Sequence, residues 1–304
     1  MKKRVILTAA ILIIVVVMGV FVGYRKKSPE EIIDKAIGNI NKYECVSMNV
    51  TGGIITDFSY NDTDMTAGTS FDIDVETNIS NKTGMYINGT TKYDILGVSS
   101  EVPFETYIEQ DNDKMYEYTY NVDTESWDYE QVENQEVSIK NELFAQLKDI
   151  LKNKGTYELR EKSERVNNVN CYVIDYKISA NDFFEIITLA NEIKGNEDIN
   201  NENQSTLNSL FNKASTIDET IDIVIYISKI RYLPVKCILN INDFMNASIN
   251  AMAEGEESLG MYQNANVNLE LEINFKNFSK SKIVVIPEEV KEMATEKEND
   301  NFEF

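Results

Sequence analysis

Any chemistry in this 304-residue chain falls to its carboxylates, because Asp and Glu number 51 and histidine is absent. Without histidine there is no Ser-His-Asp or Cys-His nucleophile, and the commonest zinc ligand is missing. Cys45, Cys171 and Cys237 lie far apart, include no C-x-x-C pair and sit in apolar or strand-like settings. That pattern reads as three buried thiols, with no disulfide and no metal site. Paired carboxylates could serve a glycosidase, but with 51 to choose from any pairing is free, so a carboxylate hydrolase ranks last among three readings. Asn61-Asp62-Thr63-Asp64 and Asn196-Glu197-Asp198 lack the glycine and closing glutamate of a calcium loop. Neither a P-loop nor a G-x-S-x-G elbow is present. Tyr116, Tyr118, Tyr120 and Tyr129 could form a carbohydrate platform, although tyrosine in strands is more often half-buried packing. No catalytic residue, cofactor or metal ligand is assigned, and the chain is expected not to be an enzyme.

The element that sets the compartment is Val5 to Tyr24, an uncharged run whose helix would span roughly 30 Å, the thickness of a bilayer core. It is longer than the apolar region of a removable signal peptide and Met18-Gly19-Val20-Phe21-Val22-Gly23 offers no small-x-small cleavage site. The basic triplets Lys2-Lys3-Arg4 and Arg25-Lys26-Lys27 flank it on both sides, so charge alone leaves the orientation open. With a four-residue tail before it and a long domain after it, the expected organisation is as follows. Residues 1–4 form a cytoplasmic tail, 5–24 a single-pass signal anchor in the cell membrane and 25–28 a juxtamembrane linker. Residues 29–294 are an extracytoplasmic domain and 295–304 an acidic tail. Six of the 29 basic residues and no acidic residue precede position 28, so the exported part carries 23 basic against 51 acidic side chains, a net charge of −28. Such a surface repels nucleic acid and anionic lipid, which leaves residues 5–24 as the membrane contact and no nucleic-acid partner.

Ser28-Pro29-Glu30-Glu31 opens a helix by capping box and N1 proline, and Ile32, Ile33, Ala36, Ile37 and Ile40 give it one buried face. From Cys45 the period falls to two, and strands follow at Cys45–Thr51, Phe71–Ile79, Gly84–Leu96, Pro103–Gln110, Lys114–Tyr120 and Trp127–Val132. Helical spacing returns at 139–153; strands Tyr157–Val166 and Cys171–Ser179 then flank Asn167-Asn168, and a helical insertion covers 181–217. Ile221–Ser228 and Val235–Ile241 form a hairpin with Pro234 at its turn, a helical segment covers Phe244–Leu259, and Val267–Phe275 alternates most cleanly of all. Ile283–Ile286 is expected as a last short strand. The pattern predicts an α+β fold: after the transmembrane helix, a large, curved antiparallel sheet of about eleven strands, an incomplete barrel with one polar and one apolar face. Helices near 29–42, 139–153 and 181–217 are expected to cover the concave apolar face.

This order of elements, with Tyr226-Ile227-Ser228-Lys229 through Tyr232-Leu233-Pro234-Val235-Lys236 and the ending Ile286-Pro287-Glu288-Glu289-Val290, resembles the LolA/LppX-like proteins. The resemblance covers roughly residues 29–294 and implies an incomplete barrel around a helical plug that carries lipid or sorts lipoproteins. LolA is a soluble shuttle and LppX-type proteins are anchored through a lipidated cysteine, whereas this chain keeps a protein anchor. The implied partner is a lipid or the lipid part of a lipoprotein, held between helices and sheet. The implied lining is Leu143, Phe144, Leu147, Phe183, Phe184 and Ile187 from the helices with Ile223, Ile225, Leu269 and Leu271 from the sheet. The alternative from another class is a cell-envelope structural or interaction domain with a fully packed core, no ligand and a protein partner the sequence does not identify.

Overall fold

Period-two runs dominate the chain, and in the computed structural model they form one open sheet. It describes residues 28–60, 63–78, 84–95, 97–111, 114–132, 154–183, 220–253 and 266–296; the anchor 5–24 and the expected helix 139–153 lie outside these. The strands of the N-terminal half are β1 (Cys45–Tyr60), β2 (Thr63–Asn78), β3 (Gly84–Ile95), β4 (Val98–Asp111), β5 (Lys114–Asn121) and β6 (Ser126–Val132). The rest are β7 (Gly155–Leu159), β8 (Glu164–Val166), β9 (Val169–Ser179), β10 (Thr220–Ser228), β11 (Pro234–Asn240), β12 (Asn266–Ser279) and β13 (Thr295–Glu296). Their spatial order is β13-β6-β5-β4-β3-β2-β1-β12-β11-β10-β9-β7, with β8 also beside β9. The two ends of that order do not pair, so the sheet is not closed. Among the described residues no helix is long and apolar enough to cross a membrane.

β12 joins the two halves. Its strict alternation lets Val267, Leu271, Ile273 and Phe275 face one side, and it pairs with β1 from Asp57↔Asn266 to Cys45↔Ser279 and with β11 from Lys236↔Asn274 to Asn240↔Glu270. A bulge between Ser47 and Met48 leaves Lys276 without an opposite residue, and its ammonium reaches Asp74 instead.

Several expectations change. Among the described residues there are thirteen strands where about eleven are expected, and one pair, β13 with β6, is parallel, so the sheet is mostly rather than wholly antiparallel. Tyr157–Val166 is two strands. After β7, Arg160 N still donates to Val173 O at 2.9 Å, and across the break its side chain bridges the two pieces, Nε to Asp175 Oδ2 and Nη2 to Asp175 Oδ1 at 2.7 Å each and Nη1 to Glu164 at 2.8 Å. Asn167 and Asn168, both at positive φ, then close the tight β8–β9 turn that the Asn-Asn pair predicts. Ile283–Ile286 is not a strand. The segment is extended, but the Asn78 side chain supplies its partner by donating to Val284 O and accepting from Val284 N. An apolar run fixes extension, not which edge remains free to pair with it.

Three helices are described: α1 (Pro29–Ile40), α2 (Asn242–Ala253) and α3 (Glu288–Met293). α1 starts as the sequence predicts, with Ser28 Oγ accepting from Glu31 N at 3.3 Å. Its face of Ile32, Ile33, Ala36 and Ile37 packs on Ile174, Tyr176, Ile178, Ile221 and Ile223 of β9 and β10, joined by Phe244 of α2. α2 also settles an edge. Beyond the end of β11, Asn246 accepts from Val267 N at 2.6 Å and donates to Val267 O at 3.0 Å, and Asn242 accepts from Leu269 N. Two asparagines four apart on one helix thus replace a missing strand. An Asn246→Ala chain should lose about 1–3 kcal/mol, since both Val267 backbone groups are left unpaired. An unchanged denaturant midpoint would show that water satisfies them equally well.

Candidate functional site

The apolar face is one surface made of two joined clusters. The first is the α1, β9 and β10 core just described. The second consists of Val46, Met48, Val50, Ile73, Val75, Ile87, Leu271, Ile273 and Phe275, and Cys237 and Leu239 of β11 pack against both. Register confirms the shared side, because Ile223 opposes Leu239 and Leu239 opposes Leu271. Every described member of the second cluster belongs to a strand; α1 and α2 pack chiefly on β7, β10 and β12. Burying each such side chain is worth about 1.5–3 kcal/mol, so this surface supplies much of the stability.

Where the face continues past its buried floor, Ile54, Phe71, Phe104 and Leu269 are only half-buried. Two glycines shape that part. A Cβ on Gly52 would stand 2.7 Å from both Glu270 O and Phe71 Cζ, and one on Gly89 would meet Asp72 O at 2.4 Å. Gly52 opposes Phe71 on one side and Leu271 on the other, and Gly89 lies between Ile73 and Phe104. At Gly52 the missing side chain lets the Phe71 ring lie against the backbone of β1, and at Gly89 it lets β2 approach β3 closely at Ile73; Phe71 and Phe104 are the aromatic members of an otherwise aliphatic part of the surface. Among the described residues the side chains that build this surface are aliphatic and aromatic, with Cys237 at its join. The thiol nearest the join, Cys237, is pushed up to about 12 by burial and is not a nucleophile at neutral pH. All three cysteines are free thiols.

The opposite face uses its carboxylates for pairing. Asn49 Nδ2 donates to Asp72 Oδ1 at 2.6 Å and Asp74 Oδ1 at 3.0 Å, Lys276 pairs with Asp74, Lys282 with Glu76, and Lys236 with Glu272. Burial pushes the Glu272 carboxyl up, but hydrogen bonds from Lys236 and Asn274 outweigh it and the net shift is down from 4.5. Asp74 behaves alike through Lys276 and Asn49. A depressed carboxyl stabilises the fold above its unfolded value and loses that contribution as pH falls through its folded value. The denaturant midpoint should therefore decline below about pH 4.5, and less steeply in Glu272→Gln. Equal slopes in the two chains would remove Glu272 from the acid response. Among the described residues no group of three or more Cys, Asp or Glu is placed to hold a metal ion.

That face is not uniformly polar, contrary to expectation. Tyr86, Tyr107, Tyr118 and Tyr129 oppose one another in a row across β3 to β6, on the side of Glu76. Tyr118 and Trp127 are buried with Ile286 and Val290 of the C-terminal crossing, and Lys291 of α3 pairs with Glu109 at 2.6 Å. α3 therefore covers the side opposite α1 and α2; of the tyrosines considered as a sugar platform, Tyr118 is buried and Tyr116, Tyr120 and Tyr129 are half-buried around it. Tyr86 donates to Glu105 at 3.0 Å, and burial together with that carboxylate pushes it up to about 12. A further apolar patch on the same side joins Cys171, Val173, Tyr226 and Val235 near β8.

Of the residues nominated from sequence, Phe183, Ile223, Ile225, Leu269 and Leu271 all lie on the apolar face. Phe183, Ile223 and Leu271 are buried in it; Ile225 and Leu269 are half-buried. Leu143, Phe144, Leu147, Phe184 and Ile187 lie outside the described residues. Sequence reading missed Ile54, Phe71 and Phe104. Phe71 was available from its place in the β2 alternation, and the glycines opposite the two rings were the unused signal.

No family model matches the chain, and no curated protein matches it. Among solved structures it is similar to a DUF1329 family protein from Desulfovibrio piger, at 10% identity and a TM-score of 0.23, over 82% of this chain and 91% of that one. It is also similar to a LolA superfamily protein from Nitrosomonas europaea, at 10% identity and a TM-score of 0.21, over 87% of this chain and 97% of that one. The second carries the superfamily name that the sequence resembles. Likenesses this distant carry no argument about a ligand, and the functional reading stands on the chain's own surfaces.

Proposed function

We propose that this chain is a membrane-anchored extracytoplasmic protein that holds a lipid, or the lipid part of a lipoprotein, against the apolar face of its open sheet without catalysis. The observation that carries it is the half-buried set Ile54, Phe71, Phe104 and Leu269, continuous with a wide apolar floor, on an element whose edges do not close. The anchor is the uncharged run 5–24, and the resemblance to LolA/LppX-like proteins adds the ligand class. Free shuttling does not suit a fixed anchor. Local capture or presentation of an apolar group beside the membrane does.

A packed interaction domain is the second reading. The complete burial of Val50, Ile73 and Val75, each at 0% exposure, favours it, since a floor already covered leaves no room for a guest. Native mass spectrometry of residues 28–304 purified without detergent separates the two. A stoichiometric apolar adduct that organic extraction removes supports the lipid carrier; a bare mass from several preparations supports the packed domain.

A further inference from the structure

The β10–β11 turn is built to present an apolar tip between cations. Ile230 is 87% exposed, the most exposed large apolar side chain among the described residues, and Lys229 and Arg231 flank it. The turn is held rigidly. Arg231 N donates to Ser228 Oγ at 3.2 Å, Tyr232 N to Ser228 O at 2.9 Å, and Asn39 Nδ2 of α1 to Arg231 O at 2.8 Å. These bonds hold Tyr232 at a φ of 49°, which an aromatic residue seldom adopts unless its surroundings impose it.

Contacts carry the patch outward from there. Lys35 lies 5.0 Å from the Tyr232 ring centre, Lys229 5.0 Å from that of Tyr172, and the two tyrosine hydroxyls are 3.4 Å apart. Lys42 donates to Asn39 Oδ1 at 2.6 Å, and Lys280 lies 5.7 Å from the ring centre of the neighbouring Tyr43. Among the described residues, none of the carboxylates lies within ion-pair reach of Lys35, Lys42, Lys229, Arg231 or Lys280. Asp34 and Glu44 share their stretches of chain, and neither neutralises them. Elsewhere Lys177, Lys236, Lys276, Lys282 and Lys291 are each paired, while Lys114, Lys162 and Arg165 are exposed cations without an apolar tip between them. In a domain of net charge −28, Lys229 and Arg231 flank one exposed isoleucine, and Lys35, Lys42 and Lys280 extend the same sign along α1 and Tyr43.

We infer that this turn is where the domain rests on an anionic bilayer surface, Ile230 entering the headgroup layer while Lys35, Lys42, Lys229, Arg231 and Lys280 meet lipid phosphates. The inference rests on the anchor of the proposed function. From Tyr24 to Ser28 the chain reaches about 14 Å, and α1 adds about 17 Å to Asn39, so the patch lies within roughly 30 Å of chain from the end of the span. Screening confines electrostatics to about 8 Å at physiological salt, so local sign rather than net charge decides what approaches the surface. The acidic remainder, repelled by the same lipids, turns the patch toward them. The tether holds the turn at a high effective concentration, and weak individual attractions suffice.

The test uses the full chain in liposomes of phosphatidylcholine alone or mixed with phosphatidylglycerol, carrying a nitroxide on Ile230→Cys; an otherwise matched sample carries it on the exposed Asp123→Cys. The 230 label is expected to be open to a water-soluble nickel chelate in phosphatidylcholine and shielded from it, with more oxygen collisions, once phosphatidylglycerol is present. The 123 label should stay open in both. Reversing Lys229→Glu and Arg231→Glu should reopen the 230 label, with roughly a fivefold fall in the contacting fraction for each cation lost. A 230 label equally open in both lipids, equally shielded in both, or broadened by a second copy's label overturns the contact, as does shielding at 123. A chain that does not float with the liposomes contradicts the anchor and takes this contact with it, whereas an anchored chain with an open label contradicts the contact alone.

Discussion

Tyr176→Ala should cost about 3–5 kcal/mol, the largest loss expected from a single side chain here. Tyr176 is 1% exposed, stacks on Tyr157 with ring centres 4.4 Å apart and fills the space between α1, β7 and β9. Its ring lies against the backbone of Gly155 so closely that a Cβ there would fall 1.9 Å from Cε2. Gly155→Ala should therefore cost about 1–3 kcal/mol by overpacking in the native chain and little in the Tyr176→Ala background. The two changes should couple by up to about 3 kcal/mol in a double-mutant cycle read by denaturant unfolding. Additive losses would mean that α1 and the sheet edge do not depend on this ring. Burial also pushes the hydroxyls of Tyr157 and Tyr176 up from 10.0. For a raised acid group the stabilisation is complete below the unfolded value and is lost as pH rises. Alkaline unfolding should begin above about pH 10 and be postponed in Tyr176→Phe.

The second large effect concerns the ligand. Phe71, packed against Gly52, and Phe104, opposite Gly89 in register, both lie on the apolar face and neither is fully buried. Truncating either to alanine withdraws a contact worth about 1.5 kcal/mol, and affinity for an acyl chain should drop roughly tenfold per ring. The double truncation should bring the two-site loss to about a hundredfold, measured by displacement of a fluorescent fatty acid, while Val285→Ala on the opposite side leaves affinity unchanged. Equal binding by the native and doubly truncated chains would place the ligand elsewhere or remove it.

Legibility in the sequence varied with how local the cause was. The cap at Ser28, the Asn167-Asn168 turn, Pro234 at the head of β11 and the alternation of β12 are set by neighbouring residues, and the structure has them all. The place of β12 between β1 and β11 is a long-range choice among strands of similar pattern, which no local period encodes. The Arg160 side chain bridges β8 and β9 because Asp175 is beside it in space, not in sequence. Strict alternation along β10 puts Asp222, Val224, Tyr226 and Ser228 on its outer side. The run Ile223-Val224-Ile225-Tyr226-Ile227 is apolar throughout, which is the signature of burial on both faces, and Tyr226 is buried with Val173 and Val235. The candidate site was half legible for the same reason: inward residues of β10 and β12 follow from period, but the same period in β1 and β2 gives Phe71 and Ile73 one face without saying that Ile73 is fully buried and Phe71 half-buried, which depends on long-range packing.

Photocrosslinking from inside the membrane that carries the full chain tests the lipid-holding face most directly. Benzoylphenylalanine at Phe104 should yield a lipid adduct on ultraviolet exposure, and the same residue at Val285, exposed on the other side, should yield none. Adducts of equal yield from both positions, or none from Phe104, would contradict the account.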